Sequence, residues 1–280
     1  MKIGILRRRG LGATSCKGIV RNLTHHDGVI IRNDKPQEEL DILVRWGTTS
    51  NYPSARRTLN KAEAIRAVND KPSARLVMME AGVMVPKTWL SVEEIESWPV
   101  IARPKHHSQG KKLWVCHSRE EAQGLEGDLY FSEYIRKEEE FGVFIFDNRV
   151  TSMIQKVPKT QEAADAIAWN VAQGTHKFVN LRWEQWNLPA AIEALKAARA
   201  FPDLTFGRVD VISKNGQPYV LEVNSAHSLT SPYRQQTFAK TLEWTADNGG
   251  VENTLDLSSA RTYKYIIHPA LRVNGSGINL

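Results

Sequence analysis

The residues best suited to chemistry sit in one stretch, GRVDVISKNGQPYVLEVNS (207–225), which carries Arg208, Asp210, Glu222 and Asn224 on two Val-rich runs joined by a polar turn. Alternate residues of a strand share a face. Arg208 and Asp210 therefore form one pair and Glu222 and Asn224 another, while Val209, Val211, Leu221 and Val223 make up an apolar face. Two carboxylates and a carboxamide oxygen brought together are hard ligands. They suit Mg²⁺, or Mn²⁺, which keeps some waters and takes further ligands from substrate phosphates. Arg208 beside them would neutralise an oxyanion or a transferring phosphoryl group.

Whether the two pairs meet depends on the turn. A two-residue Asn215-Gly216 loop sets Asp210 opposite Leu221 and sends Glu222 to the wrong side. A three-residue loop, 214–216, sets Arg208 opposite Glu222 and Asp210 opposite Val220, and Gly216 suits the left-handed position such a loop contains. The three-residue loop is therefore expected. The bland alternative is an amphipathic hairpin with a solvated polar face.

The elements that must position this hairpin follow from periodicity and turn signals. Residues 2–6, 28–32 and 41–46 read as short strands broken by polar, Gly-bearing linkers, which makes a small α/β lobe. Helical spacing is expected from 54 to 81, ending at Gly82, and Pro86 opens the next extended segment. A run at 98–104, a polar loop at 106–112, a strand at 113–118, a helix at 119–125 and a strand at 129–135 describe a compact antiparallel α+β unit. A third unit holds strands around 141–146 and 150–156, a helix near 189–200, and the hairpin. Four segments result: 1–68, 69–135, 136–245, and a C-terminal extension 246–280 whose only apolar run is YKYIIHP (263–269).

Composition excludes more than it selects. At 280 residues and 41% hydrophobic the chain is long enough for several small lobes and too well mixed for disorder. No run approaches the roughly 20 apolar residues of a membrane span, and the start is too short in apolar residues for a signal peptide, so a cytoplasmic enzyme without membrane partners is expected. Cys16 and Cys116 stand far apart without metal-ligand spacing and read as buried thiols. A net charge of +6 favours anionic partners such as nucleotides, acidic metabolites or nucleic acid.

GRVDV followed by YVLEVNSAHSLTS closely resembles the end of the ATP-grasp domain in D-alanine–D-alanine ligases and RimK-like carboxylate–amine ligases, where an Arg-x-Asp strand precedes a Glu-x-Asn strand. By that resemblance Asp210, Glu222 and Asn224 hold magnesium and Arg208 stabilises the tetrahedral intermediate, with Leu221 among the nucleotide contacts. NDKPSARLVMMEAGVMVPKTW (69–89) resembles the family's entry segment and gives Lys71 a phosphate. PVIARPKHHSQGKK (99–112) resembles the phosphate-covering strand and loop, with Arg103 in the place of a lysine and with Ser108 and Gly110 in the loop. DLYFSEYI (128–135) resembles the hinge that holds adenine, here Glu133, Tyr134 and Ile135. EEEFGVFIFDNRVTSMIQK (138–156) resembles the next strand pair, with Glu140 for the ribose hydroxyls and Lys156 for phosphate.

The resemblance covers about residues 60–240. It implies an α/β (α+β) ATP-grasp fold, a small N-terminal lobe followed by two α+β lobes enclosing the nucleotide. It also implies an ATP- and Mg²⁺-dependent ligase that joins a small-molecule or peptide carboxylate to an amine through an acylphosphate. Departures bear on the substrate. Tyr233 stands where D-alanine ligases hold a substrate carboxylate with serine, and GLGATSCK lacks their glutamate for the substrate amine, which argues against D-alanine. The rival readings are a nucleotide-binding module without turnover and a ligase acting on nucleic acid or protein.

Overall fold

The computed structural model describes residues 1–8, 10, 12–31, 39–52, 55–105, 113–169, 171–252, 255–258 and 263–272. The chain begins with β1 (Lys2–Arg7), α1 (Ala13–Asn22), β2 (Asp27–Ile31), β3 (Leu40–Trp46) and β4 (Ala55–Leu59). These strands form a parallel sheet in the order β2-β1-β3-β4. The central strands β1 and β3 are largely apolar and buried, as parallel strands covered on both faces must be, whereas the edge strand β4 is polar.

The single helix expected over 54–81 is instead β4, α2 (Ala62–Asn69) and α3 (Lys71–Glu80). Leu40–Val44 of β3 recruits 55–59 as an edge strand, a tertiary pairing that local periodicity does not reveal. Asp70 then breaks the helix with ψ at 87° and caps α3 by accepting from the Ser73 amide, while Pro72 occupies the first turn where its missing N–H costs nothing.

A second, antiparallel sheet contains β5 (Thr88–Trp89), β6 (Val100–Pro104), β7 (Trp114–Cys116) and β8 (Leu129–Glu133) in the order β5-β8-β6-β7, with α4 (Arg119–Gln123) beside β7. Its core is small: Trp89, Ile95, Val100, Ala102, Cys116, Ala122, Leu129 and Phe131.

The third sheet is antiparallel, in the order β11-β10-β9-β12-β13. It is built from β9 (Glu139–Phe146), β10 (Arg149–Pro158), then, after α5 (Gln161–Asp165), β11 (His176–Leu181), and, after α6 (Leu188–Arg199), β12 (Phe206–Lys214) and β13 (Gln217–Asn224). Helix α6 lays Ala190, Ala191, Ala194, Ala197 and Ala198 against Val143, Val209, Val211 and Val223 on one face of this sheet. Small side chains let helix and sheet approach closely. The short α8 (Tyr263–Ile266) follows α7 (Pro232–Asn248), and Ile266 and Ile267 are fully buried in the same core, so the apolar run near the C-terminus is a structural plug.

The other face of the third sheet is divided. Phe144, Phe146, Ile154 and Phe206 pack with Ile3, Ile5 and Trp46 of the first sheet and Phe238 and Leu242 of α7, with Trp46 stacked on Phe206 at 5.4 Å. The remaining half carries charge. Both cysteines are buried, and burial pushes the Cys16 thiol up to about 12. No helix among the described residues is long and apolar enough to cross a membrane.

Candidate active site

Backbone pairing alone brings the charged residues together. Asn180 pairs with Ile154, Ile154 with Gly142, Gly142 with Asp210 and Asp210 with Glu222, a single row across the third sheet. Paired residues of antiparallel strands point to one face. On one side of that row lie Phe144, Arg208 and Asn224, and on the other Phe178, Lys156 and Glu140. All stand on the face that α6 does not cover.

The turn behind this convergence differs from the three-residue loop expected. Lys214 pairs with Gln217, so the loop is the two residues Asn215 and Gly216, both left-handed with φ of 51° and 74°, as a type I′ hairpin turn requires. That turn would by itself set Asp210 against Leu221. A β-bulge after Asp210 takes up Leu221 as an extra residue and moves Glu222 into register. Asp210 thus faces Glu222 rather than Val220, and Arg208 faces Asn224 rather than Glu222. The Leu221 carbonyl accepts from Nε of Arg75 on α3 at 3.1 Å.

Each charge in the row has a partner. Arg208 approaches Asp210 through Nε at 2.7 Å and through a terminal nitrogen at 2.8 Å. Lys71 donates to Glu222 Oε2 at 2.5 Å, and Asn224 Nδ2 donates to Glu222 Oε1 at 3.0 Å and to Asp210 Oδ2 at 3.3 Å. Two carboxylates therefore converge on one donor atom, the arrangement a shared cation needs. Among the described residues no cluster of three His, Cys, Asp or Glu forms a self-sufficient metal cage. Two carboxylates and an amide suit a hard cation that draws further ligands from phosphate.

Burial and neighbours tune these groups. Burial pushes Glu222 up, but the Lys71 ammonium and the Asn224 amide more than offset this and hold it well below the usual carboxylate range. Burial and the facing Glu222 charge raise Asp210, and Arg208 only partly offsets them. Burial disfavours the Arg208 charge, but Asp210 reverses that and raises its pKa.

Glu140 lies beneath this row, buried and paired with Lys156 and, at 2.7 Å, with Lys137. The two ammonium groups hold it ionised against a desolvation that acts the other way. Lys156 also donates to the Trp169 carbonyl, and Lys137 lies 4.9 Å from the centre of the Trp169 ring. A cavity of about 370 Å³ adjoins them, lined in part by Lys137, Gln155, Lys156 and Trp169.

The second sheet supplies Arg103, whose buried Nε has no hydrogen-bond partner. Its charge acts on both Arg75 of α3 and Lys137, just before β9, and adds to burial in lowering the pKa of each. Glu133 ends β8, where its N–H donates to the Lys87 carbonyl, and the Tyr134 N–H donates to the Pro99 carbonyl. Ser108 and Gly110, like His106 and His107, lie outside the described residues.

Sequence reasoning missed Arg75 and Lys137. Arg75 stands four residues after Lys71 on the same helical face, a spacing that could have found it. It is 1% exposed, and burial, with Arg103 adding to it, lowers its pKa to about 10.

Comparison with known proteins agrees with this fold. Residues 69–241 match the RimK-like ATP-grasp domain. A D-alanine–D-alanine ligase of Fusobacterium nucleatum is 27% identical over 202 residues, which are 71% of this chain and 67% of the relative. Among solved structures, a D-alanine–D-alanine ligase from Bacillus anthracis complexed with ATP superposes with a TM-score of 0.54 at 14% identity, covering 89% of this chain and 99% of that one. The ATP-grasp ligase PsnB complexed with a minimal precursor, Mg and ADP gives 0.60 at 13% identity, covering 87% and 97%.

Proposed function

Because the chain belongs to the RimK-like ATP-grasp family and is an ATP-dependent ligase joining a carboxylate to an amine, we infer that the row on the third sheet is where phosphoryl transfer and bond formation occur. The observation that carries this reading is the bulge-corrected pairing of Asp210 with Glu222, flanked by Arg208 and Asn224. Asp210, Glu222 and the Asn224 amide, turned so that its oxygen faces them, would hold Mg²⁺, which neutralises phosphate charge when bound. Lys71, now on Glu222, is placed to follow that carboxylate or to pass to a phosphate. Arg103, from segment 69–135, covers the phosphates, and Lys156 reaches them from below. Glu140, kept ionised, accepts from ribose hydroxyls, and the hinge at 133–135 faces the base.

In this reading the substrate carboxylate attacks the γ-phosphorus of ATP, ADP leaves, and the amine then attacks the acylphosphate carbonyl and expels phosphate. Arg208 stands beside the carboxylate row, where it meets the developing oxyanion. No side chain is needed as a nucleophile. Positioning and charge neutralisation supply the rate, as in other phosphoryl transfers.

The test is ADP release over pooled amino acids, polyamines and peptides with carboxylic acids, read with mass spectrometry of products. A product one water lighter than its two components, formed only with ATP and Mg²⁺, is expected. Nucleotide hydrolysis without any coupled product across the pools would overturn the ligation reading of the site.

A further inference from the structure

Resting on that ligase reading, we propose that Arg75 is a positioning residue of the metal site: by holding the Leu221 carbonyl it keeps the β-bulge formed and so keeps Glu222 turned towards Asp210. Strand β13 is the outer strand of the third sheet, and the backbone groups on its free side have no further strand to pair with. The segment 71–84 supplies their partners. The Val220 N–H donates to the Met84 carbonyl at 2.8 Å, and Arg75 Nε donates to the Leu221 carbonyl at 3.1 Å. Lys71, one helical turn before Arg75, reaches the Glu222 carboxylate at 2.5 Å. Three successive residues, 220 to 222, are thus held by one short stretch of chain.

The bulge needs this help from outside its own hairpin. In an unbulged ladder the two-residue turn sets Asp210 against Leu221 and sends Glu222 to the apolar face that α6 covers. Taking Leu221 out of the ladder avoids that, and its carbonyl then requires a donor from elsewhere. Arg75 is 1% exposed, its Nη1 is buried without a hydrogen-bond partner, and among the described residues no carboxylate pairs with it. An apolar side chain of similar volume would fill that space at less cost. What the arginine adds is a donor on a stem long enough to reach the strand edge.

Its charge gives the proposal a sign that packing alone lacks. Burial lowers the Arg75 pKa only to about 10, so the group remains a cation at neutral pH. A cation near a metal site opposes the metal, and deleting that charge by itself would tighten metal binding. Losing the hold on Leu221 does the reverse, because the two carboxylates no longer converge. Removing a group that orients a metal ligand typically weakens metal binding by about 10–100-fold.

The test uses calorimetry on the full chain to measure the Kd of AMPPNP in excess EDTA and in saturating Mg²⁺, for wild type, Arg75→Met and Arg75→Lys. In EDTA the three proteins should bind alike. In Mg²⁺ the wild type should bind more tightly, and Arg75→Met should lose about 10-fold or more of that gain. Arg75→Lys, which keeps a donor of similar reach, should recover most of it. In turnover, the Mg²⁺ concentration giving half the maximal rate should rise in Arg75→Met, while saturating Mg²⁺ restores most of kcat. Where Arg75→Met does not fold, Arg75→Gln, too short to reach the carbonyl, carries the same measurement.

A lower melting temperature with both Kd values unchanged would make Arg75 a packing residue and overturn the proposal. Equal weakening in EDTA and in Mg²⁺ would also overturn it, since Arg75 would then contact phosphate directly. So would tighter Mg²⁺-dependent binding in Arg75→Met, or no recovery by lysine. If Mg²⁺ does not strengthen AMPPNP binding in the wild type, the metal site and this proposal fall together. The ligase reading fails on a different result, the absence of any coupled product.

Discussion

Glu222 is ionised before any cation arrives, because Lys71 and Asn224 hold its pKa low against burial. Binding a divalent ion there requires displacement of an ammonium group and no loss of a proton. Glu222→Gln keeps the shape and removes the charge, so Mg²⁺-dependent turnover should fall by about 10²–10³-fold, as when one preorganised charge contact is removed. Titration of kcat against Mg²⁺ checks this, and wild-type activity and metal dependence in the variant would remove Glu222 from the ligand set. The same carboxylate stabilises the fold only while ionised. Its folded pKa lies below its unfolded value, near 4.3, so any stability advantage over Glu222→Gln is present above that value and fades as pH falls below it. His227 has the opposite charge chemistry and a wider window: burial lowers it to about 3, whereas the unfolded chain binds that proton near 6.5. Stability should therefore fall as pH drops from about 6.5 towards 3. By pH 5 this one site costs about 2 kcal/mol. His227→Phe should lessen the decline in urea midpoint between pH 7 and 5 but not abolish it, since burial lowers His268 to about 3 as well. An identical pH dependence in the variant would show that His227 titrates normally in the fold.

At the scale of elements, a site on one sheet face demands that strands keep register and leave room. Alternation in GRVDV and VLEVN made the shared face of Arg208 with Asp210 and of Glu222 with Asn224 legible without a structure. The bulge was not legible, because the carbonyl it frees is taken up by Arg75, 146 residues away along the chain. Local turn chemistry pointed to a three-residue loop as the only route to convergence, whereas a tight turn plus a bulge reaches the same end. The break at Asp70 and the strand at 55–59 were obscured for a similar reason, since β4 exists only by pairing with β3. Lys137 was overlooked because its pairing with Glu140 requires the backbone to turn into β9. Room is the second demand, and Gly142 meets it. A Cβ there would stand 2.9 Å from Ile154 Cγ1 and 3.1 Å from Arg208 Cδ, so the glycine is what lets the Arg208 stem cross β9. Gly142→Ala should displace Arg208 and lower kcat roughly 10-fold or more while nucleotide affinity changes little, the pattern of a lost transition-state contact. Unchanged kcat would mean that Arg208 has slack or no role in the rate.

On the scale of the whole molecule, the first and third sheets are fused through α7 and the aromatic cluster around Trp46, Phe206 and Phe238. The second sheet has its own small core, and it carries Arg103, whose Nε is unpartnered. A unit with few buried apolar side chains opens at lower free energy than the rest of the fold. A nucleotide held between Arg103 above and the Asp210–Glu222 row below would tie the weakest unit to the strongest. A ligand that binds only the folded state adds RT ln(1 + [L]/Kd), about 2.7 kcal/mol at a hundredfold excess over Kd. That stabilisation should not be spread evenly. Hydrogen exchange should slow most at 100–104 and 129–133 in the second sheet when ATP and Mg²⁺ are added together, less with ATP alone, and little at 2–7 in the first sheet. Arg103→Ala should weaken this protection and leave the apo exchange pattern of the third sheet unchanged. Protection confined to the first sheet, or equal in all three, would place the nucleotide elsewhere and separate Arg103 from the phosphates.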